Sequence, residues 1–120
     1  MRGKIFADSN KIINWIPENP TGDVSGTKIA MDLMATLLEE QGKSSMLVDL
    51  TKSFRPNAAQ RLIIINALKS NFHNIAKIAI FGESALMKAV AAFIINASGY
   101  TNMRFFVNRN QATQWLLEND

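Results

Sequence analysis

The turn Gly82-Glu83-Ser84 is the segment whose residue types come closest to a chemical site. A glycine between a strand and a helix exposes backbone N–H groups that can bind an anion, and the serine hydroxyl is a candidate nucleophile. A phosphate-binding loop needs a second glycine followed by Lys-Ser or Lys-Thr, whereas three apolar residues follow here. A nucleophile elbow also needs a second glycine, and Leu86 replaces it. We therefore predict a structural turn in which Ser84 or Glu83 caps the next helix.

The other polar groups do not complete a catalytic or metal site. His73 is the only histidine, and a predicted strand separates it from Ser84. Asp49 ends another predicted strand, but a phosphoacceptor site also needs a pair of acidic residues early in the chain and a lysine after a later strand. The first strands offer only Asp8, so we expect Asp49 to cap its own loop. The chain has no cysteine, and its acidic residues are not clustered as metal ligands are. We predict a protein that is not an enzyme and holds neither metal nor cofactor.

The composition predicts a single domain over residues 1–120. Of these residues 48% are hydrophobic and 19% are charged, which is enough apolar material for a core without disulfides. The net charge of +3 comes from scattered residues with no basic run, which argues against a nucleic-acid partner. The longest apolar run, residues 89–95, is far shorter than the roughly 20 residues that span a bilayer, and no secretory signal is recognisable. We expect a cytoplasmic location.

Hydrophobic periodicity predicts short strands that alternate with helices. The predicted strands are 4–7, 11–16, 45–50, 75–81 and 103–107, and the predicted helices are 27–41, 56–74, 85–98 and one that begins after an N-cap at Asn110. The first two strands form a hairpin, and the alternation that follows requires crossover connections. The fold class is therefore α/β, with a mostly parallel sheet of four to five strands, an N-terminal β-hairpin and about four helices. Binding sites on such sheets lie beyond the carboxyl ends of the strands, here in segments 51–55, 82–84 and 108–110.

The third predicted helix is apolar on nearly all sides, with Lys88 as its only charged residue. A helix of this kind is covered on both faces. Three interpretations stay open: cover by neighbouring elements of the same chain, a homodimer contact through Ala85, Ala89 and Ala92, or one wall of a pocket for an apolar ligand. Such a pocket would be lined by Met31, Met34, Met87 and Ala91.

Three stretches of the chain resemble the SpoIIAA-like relatives of the STAS domain, the sulphate-transporter and anti-sigma-factor-antagonist domain. They are residues 37–51, the strand 76–82, and the strand 103–106 with the helical segment 112–116. The last stretch is the most specific, because an Arg-aromatic-Phe strand is followed by an Ala-x-x-Trp-Leu helix. Together the three stretches span about residues 27–118.

The resemblance implies a sheet with helices packed mainly on one side and a non-enzymatic regulatory or protein-interaction module. The apolar third helix adds the expectation that this module self-associates. The SpoIIAA-like branch also looks like the lipid-transfer CRAL-TRIO fold, which implies, as an alternative, a carrier or sensor of a lipid or another apolar small molecule. STAS switches carry a phosphorylated Asp-Ser-Ser-Gly motif, where this chain has Lys52-Ser53-Phe54-Arg55-Pro56, and Ser53 is the candidate phosphorylation site. The predicted interaction surface consists of Thr51, Ser53, Arg55, Ala85, Ala89 and Ala92.

Overall fold

The structure, a computed structural model, describes residues 3–118. In chain order its elements are β1 (Lys4–Ala7), β2 (Ile13–Ile16), α1 (Val24–Gln41), β3 (Ser44–Asp49), α2 (Ala58–Asn71), a short 3-10 turn (Phe72–Asn74), β4 (Ile75–Phe81), α3 (Ala85–Ser98), β5 (Met103–Phe106) and α4 (Arg109–Leu117). The order of strands and helices is the predicted one, because each element carries its own periodicity and end signals.

The five strands form one sheet in the order β1-β2-β3-β4-β5. The first pair is an antiparallel hairpin, and every later pair is parallel. Parallel neighbours must be joined by a crossover, and a helix supplies each one here. The predicted fold class is confirmed: an α/β fold with a mostly parallel sheet, an N-terminal hairpin and four helices.

The two faces of the sheet are covered unequally. On the central strand β3, Met46 and Val48 belong to the large core under α1, α2 and α3. Leu47, between them, points to the opposite face, where it joins Ala112 and Leu116 of α4 in a second, smaller core. This alternation follows from the two-residue period of a strand. Three helices therefore lie on one face and the short α4 on the other, where it packs mainly on β3, β4 and β5.

Helix starts were the least accurate part of the sequence prediction. α1 begins at Val24, three residues before the predicted Thr27, because the Asp23 carboxylate accepts a hydrogen bond from the Gly26 N–H at 3.0 Å. The N-cap of α4 is Asn108, whose side chain accepts from a backbone N–H at 2.9 Å, and the predicted cap Asn110 is wrong. The extended backbone that an N-cap needs occurs at Asn108 because β5 ends just before it.

The second helix is shorter than the predicted 56–74. It spans Ala58–Asn71 and starts with a capping box, in which the Asn57 side chain and the Gln60 side chain each accept a backbone N–H at 2.9 Å. Pro56 therefore precedes the helix instead of occupying its first turn. The β-branched run of residues 63–65 is helical all the same, because burial of its side chains against the sheet and neighbouring helices outweighs its weak helix propensity.

Tyr100 fastens the end of α3 to the start of β4. Its ring stacks on Phe72 with centroids 4.1 Å apart. Its hydroxyl donates to the Ile75 carbonyl oxygen, and the Ala76 carbonyl oxygen lies 3.2 Å away. Desolvation by burial raises the pKa of the phenol above its ordinary value of 10.0.

Tyr100→Phe keeps the stacked ring and removes the hydroxyl. We expect the free energy of unfolding at neutral pH to fall by about 1 kcal/mol, the usual net worth of a buried hydrogen bond. The folded protein holds the phenolic proton more tightly than the unfolded chain does, so this stabilisation is complete below about pH 10 and is lost as the pH rises further. In urea titrations from pH 7 to 11, the free energies of unfolding of the wild type and Tyr100→Phe should therefore become more similar at the alkaline end. A difference in free energy of unfolding that stays constant over this pH range would contradict the link between ionisation of Tyr100 and stability.

Candidate functional site

The loop between β3 and α2 holds Thr51 and Ser53 out to solvent. Asp49 shapes its start, because its carboxylate accepts hydrogen bonds from both the backbone N–H, at 2.9 Å, and the hydroxyl of Thr51. The predicted role of Asp49 as a cap of its own loop is confirmed. Ser53 has a φ of 56°, a left-handed conformation that turns the chain inwards at Phe54. The Phe54 ring is buried edge-on against Trp15, with the ring centroids 5.8 Å apart. This buried ring anchors the loop to the core.

A cleft of about 200 Å³ lies between this loop and the start of α3. It is lined by Leu50, Thr51, Ser53, Glu83, Ser84 and Met87. The Ser84 hydroxyl oxygen accepts from the Met87 N–H at 3.1 Å, which confirms that this serine caps the helix. The cleft thus places Thr51 and Ser53 beside Glu83 and Ser84, about 30 residues away in sequence. Ala85, Ala89 and Ala92 of the predicted surface do not line it.

The outer face of α3 is open to solvent. Met87, Ala91 and Ile94 point into the large core. The residues of the helix that are exposed instead include Ala85, Leu86, Ala89, Ala92 and Phe93. Within residues 3–118, the interpretation in which neighbouring elements of the same chain cover both faces of this helix is therefore wrong. The crossover geometry explains the error: a helix between two parallel strands packs one stripe on the sheet, and nothing among residues 3–118 forms a further layer above it.

Arg55, the remaining residue of the predicted surface, is exposed but does not line the cleft. Its carbonyl oxygen accepts from the Thr21 hydroxyl at 2.7 Å, which ties this end of the loop to the segment before α1. Arg61 connects the loop to α3 by another route. Its guanidinium donates to the Pro56 carbonyl at 2.8 Å and lies 4.8 Å from the centre of the Phe93 ring.

The four residues predicted to line an apolar pocket, Met31, Met34, Met87 and Ala91, are all buried in the large core. A cavity of about 20 Å³ lies on this side of the sheet and has room for about one water molecule. Its walls include Trp15 and Phe54 but none of the four predicted residues. In this conformation the core is packed, and an apolar ligand would have to separate the helices from the sheet to enter.

A polar cluster that the sequence analysis missed lies on the opposite face, between the first half of β2, the carboxyl end of β3 and the start of α4. Arg109 of α4 donates to the Asp49 carboxylate at 2.8 Å and lies 3.4 Å from the Asn14 side-chain oxygen. Asn14 in turn donates to Asp8 at 3.0 Å. The signal available in the sequence was Asn14 itself, a polar residue in the middle of a short apolar strand. Since protein donors occupy both oxygens of Asp49, we assign this cluster the role of docking α4 onto the sheet.

The far end of α4 is docked by a lysine. The Lys77 ammonium donates to the Trp115 and Glu118 carbonyl oxygens at 2.9 and 3.0 Å, where it satisfies groups that a helix C-terminus leaves free. Lys77 is the one polar residue that interrupts the apolar run of β4, and its burial is explained by this contact.

The structure assembles no metal site among the residues it describes, since no group of three His, Asp or Glu side chains comes together within 3–118. His73 is exposed in the 3-10 turn before β4, whereas Ser84 follows the other end of that strand. No helix in this part of the chain is both long enough and apolar enough to cross a membrane.

The topology defines the class of protein, a small α/β protein with a mostly parallel sheet. The chain belongs to the SpoIIAA-like family, because the sequence model of that family matches residues 21–117. Comparisons with curated proteins and with solved structures give no match. Membership indicates a STAS regulatory or interaction module, a class that typically mediates protein interactions and is generally non-enzymatic.

Proposed function

We propose that the protein is a non-enzymatic regulatory module that binds a protein partner, its own second copy included, through the outer face of α3 and the adjoining cleft. The observation that carries this proposal is the exposed apolar face of α3. Leu86 and Phe93 are 45% and 48% exposed, and small alanines lie between them. A contiguous apolar patch of this kind is typical of a protein contact.

The arrangement of large and small side chains supports a contact between two copies. Alanines allow two helices to approach closely, and a two-fold contact places the same face of each helix against the other. If two α3 helices pack antiparallel about Ala89, Ala85 of one copy lies opposite the partner's Phe93, so that a small side chain receives a large one. Lys88 lies beside this contacting face of α3, where its ammonium can remain in water.

Ala89→Arg is expected to convert a dimer into a monomer. Two unpaired guanidinium groups would be buried at the centre of the contact, so we expect the dissociation constant to rise by at least about 100-fold. Thr36→Arg is the matched control, because it adds the same charge at an exposed position of α1. Sedimentation velocity over a range of concentrations measures the change.

A wild-type protein that stays monomeric at all accessible concentrations would contradict self-association, as would an Ala89→Arg variant that dimerises as the wild type does. Native mass spectra of the same samples test the alternative function. A monomer that retains an adduct of a few hundred daltons would favour the carrier of an apolar molecule over the interaction module.

Ser53 is the position where phosphorylation would act on this surface. Its side chain is exposed and lies in the cleft that Glu83 also lines. A phosphate would add a charge of about −1.5 to −2 there, close to an existing carboxylate, and would alter the fit of any partner that enters the cleft.

A further inference from the structure

The sheet has an open edge at β5. The strand order ends with β5, and no further strand within residues 3–118 pairs with it. The carbonyl oxygens of Asn102 and Phe106 accept hydrogen bonds from β4, at 2.9 and 3.3 Å. In a parallel ladder, every second residue of a strand directs its backbone N–H and C=O groups towards one neighbouring strand, and the residues between direct theirs to the other side. The N–H and C=O groups of Phe105 and Val107 therefore point away from the sheet. An edge of this kind is a template for one more strand.

A groove of about 480 Å³ runs beside this edge, between β5 and α4. Two charged side chains line it, Arg104 and, at the C-terminal end of α4, Glu118. Arg104 lies over two aromatic rings, 5.6 Å from the centre of Phe106 and 5.4 Å from that of Trp115. Within residues 3–118 its guanidinium has neither a carboxylate partner nor a hydrogen-bond acceptor. The rings hold the cation in place on one side and leave its hydrogen-bond donors for a ligand.

We propose that the β5 edge and the Arg104 groove bind an extended acidic segment of a partner protein, which joins the sheet as a sixth strand. Main-chain hydrogen bonds to Phe105 and Val107 supply affinity for any extended segment. Because successive side chains of a strand alternate between faces, an acidic residue on the α4 side of the added strand meets Arg104. The guanidinium binds a carboxylate through charge-assisted hydrogen bonds, and this pairing selects acidic segments.

This proposal rests on the proposed role in protein interaction but does not depend on the α3 surface. Arg104 lies on the face of the sheet that carries α4, whereas α3 packs on the other face. An Ala89→Arg monomer should therefore still bind the acidic segment, so that failure at one surface can be distinguished from failure at the other.

The test uses a fluorescein-labelled peptide of alternating valine and glutamate, titrated with the full chain and followed by fluorescence anisotropy. We expect binding that Arg104→Gln weakens by about tenfold, the worth of a charge-assisted hydrogen bond. Lys69→Gln, which removes the same charge at an exposed position of α2, should leave the affinity within about a factor of two. A peptide with lysine in place of glutamate, and one with N-methylated alternate amides, should each bind at least about tenfold more weakly.

Amide hydrogen exchange locates the contact, with slower exchange expected at Phe105 and Val107 when the peptide is bound. Three results would overturn the proposal: no binding of the glutamate peptide, equal affinity for wild type and Arg104→Gln, or protection confined to other strands. Protection at β5 that appears without peptide and rises with protein concentration would also overturn it, because a second copy would then occupy the edge.

Discussion

Phe54→Ala is expected to lower the free energy of unfolding by about 3–5 kcal/mol, the range for removal of a buried phenylalanine ring. Phe54 is only 2% exposed, and its ring packs against Trp15 and next to the existing cavity of about 20 Å³. The space left by the ring would join that cavity. The side walls are β-sheet and helix residues that cannot close around it, so little of the cost is recovered by relaxation.

The functional consequence concerns the loop that Phe54 anchors. Thr51 and Ser53 owe their positions to a chain that turns inwards at this ring, so the cleft next to α3 should lose its shape as well. Urea denaturation measures the stability change through the transition midpoint at constant slope. Phe54→Leu keeps much of the apolar volume and should lose less stability. This variant replaces Phe54→Ala in the measurement if the alanine variant does not fold.

Phe6→Ala is the matched control for this experiment. It removes the same ring from β1, where the side chain is 43% exposed, and should cost no more than about 1 kcal/mol. A loss of similar size in Phe54→Ala and Phe6→Ala would mean that Phe54 is not an anchor.

Gln60→Leu is the second substitution with a large expected effect, about 2–4 kcal/mol. The Gln60 side chain is completely buried and joins three segments of the chain. Its oxygen accepts from the N–H groups of Gly22 and Asn57 at 2.7 and 2.9 Å, and its nitrogen donates to the Thr27 hydroxyl and the Pro20 carbonyl at 3.1 and 3.3 Å. Leucine has a similar volume but satisfies none of these groups, and each buried group left unpaired costs about 1–3 kcal/mol.

Thermal unfolding and urea titration both report this loss. Gln111→Leu makes the same chemical change on the exposed face of α4 and should change stability by less than about 0.5 kcal/mol. Hydrogen exchange should speed up at Gly22 and Asn57 in Gln60→Leu, because these amides lose their acceptor. Unchanged stability together with unchanged exchange would show that the network does not hold the segment before α1.

The order of the elements could be predicted because the information is local. A strand of two-residue period and a helix of 3.6-residue period differ within a few residues, and Gly42, Ser84 and Gly99 mark helix ends where they were expected. The Phe105-Phe106 strand and the Trp115-Leu116 helix end carried the resemblance that the family comparison then confirmed over residues 21–117. The interaction surface, the apolar pocket and the Ser53 site remain predictions.

The polar contacts between distant segments could not be predicted in the same way. Arg109 meets Asp49 across 60 residues and approaches Asn14 across 95, and no local pattern in the sequence pairs these three residues. Only the pairing of β2 with β3 brings Asn14 and Asp49 together beneath the start of α4. Gln60 was missed for the same reason, because its partners outside its own helix start lie more than 30 residues away.

The sequence by itself determined the α/β class, the hairpin and the four helices, because period, caps and turn residues act over a few positions. The tertiary structure decided which surfaces stay open: the outer face of α3, the cleft beside Ser53, and the edge of β5 with Arg104. Exposure depends on what packs above a residue, and that is set by the handedness of the crossovers and by where the sheet ends. No local pattern encodes either one.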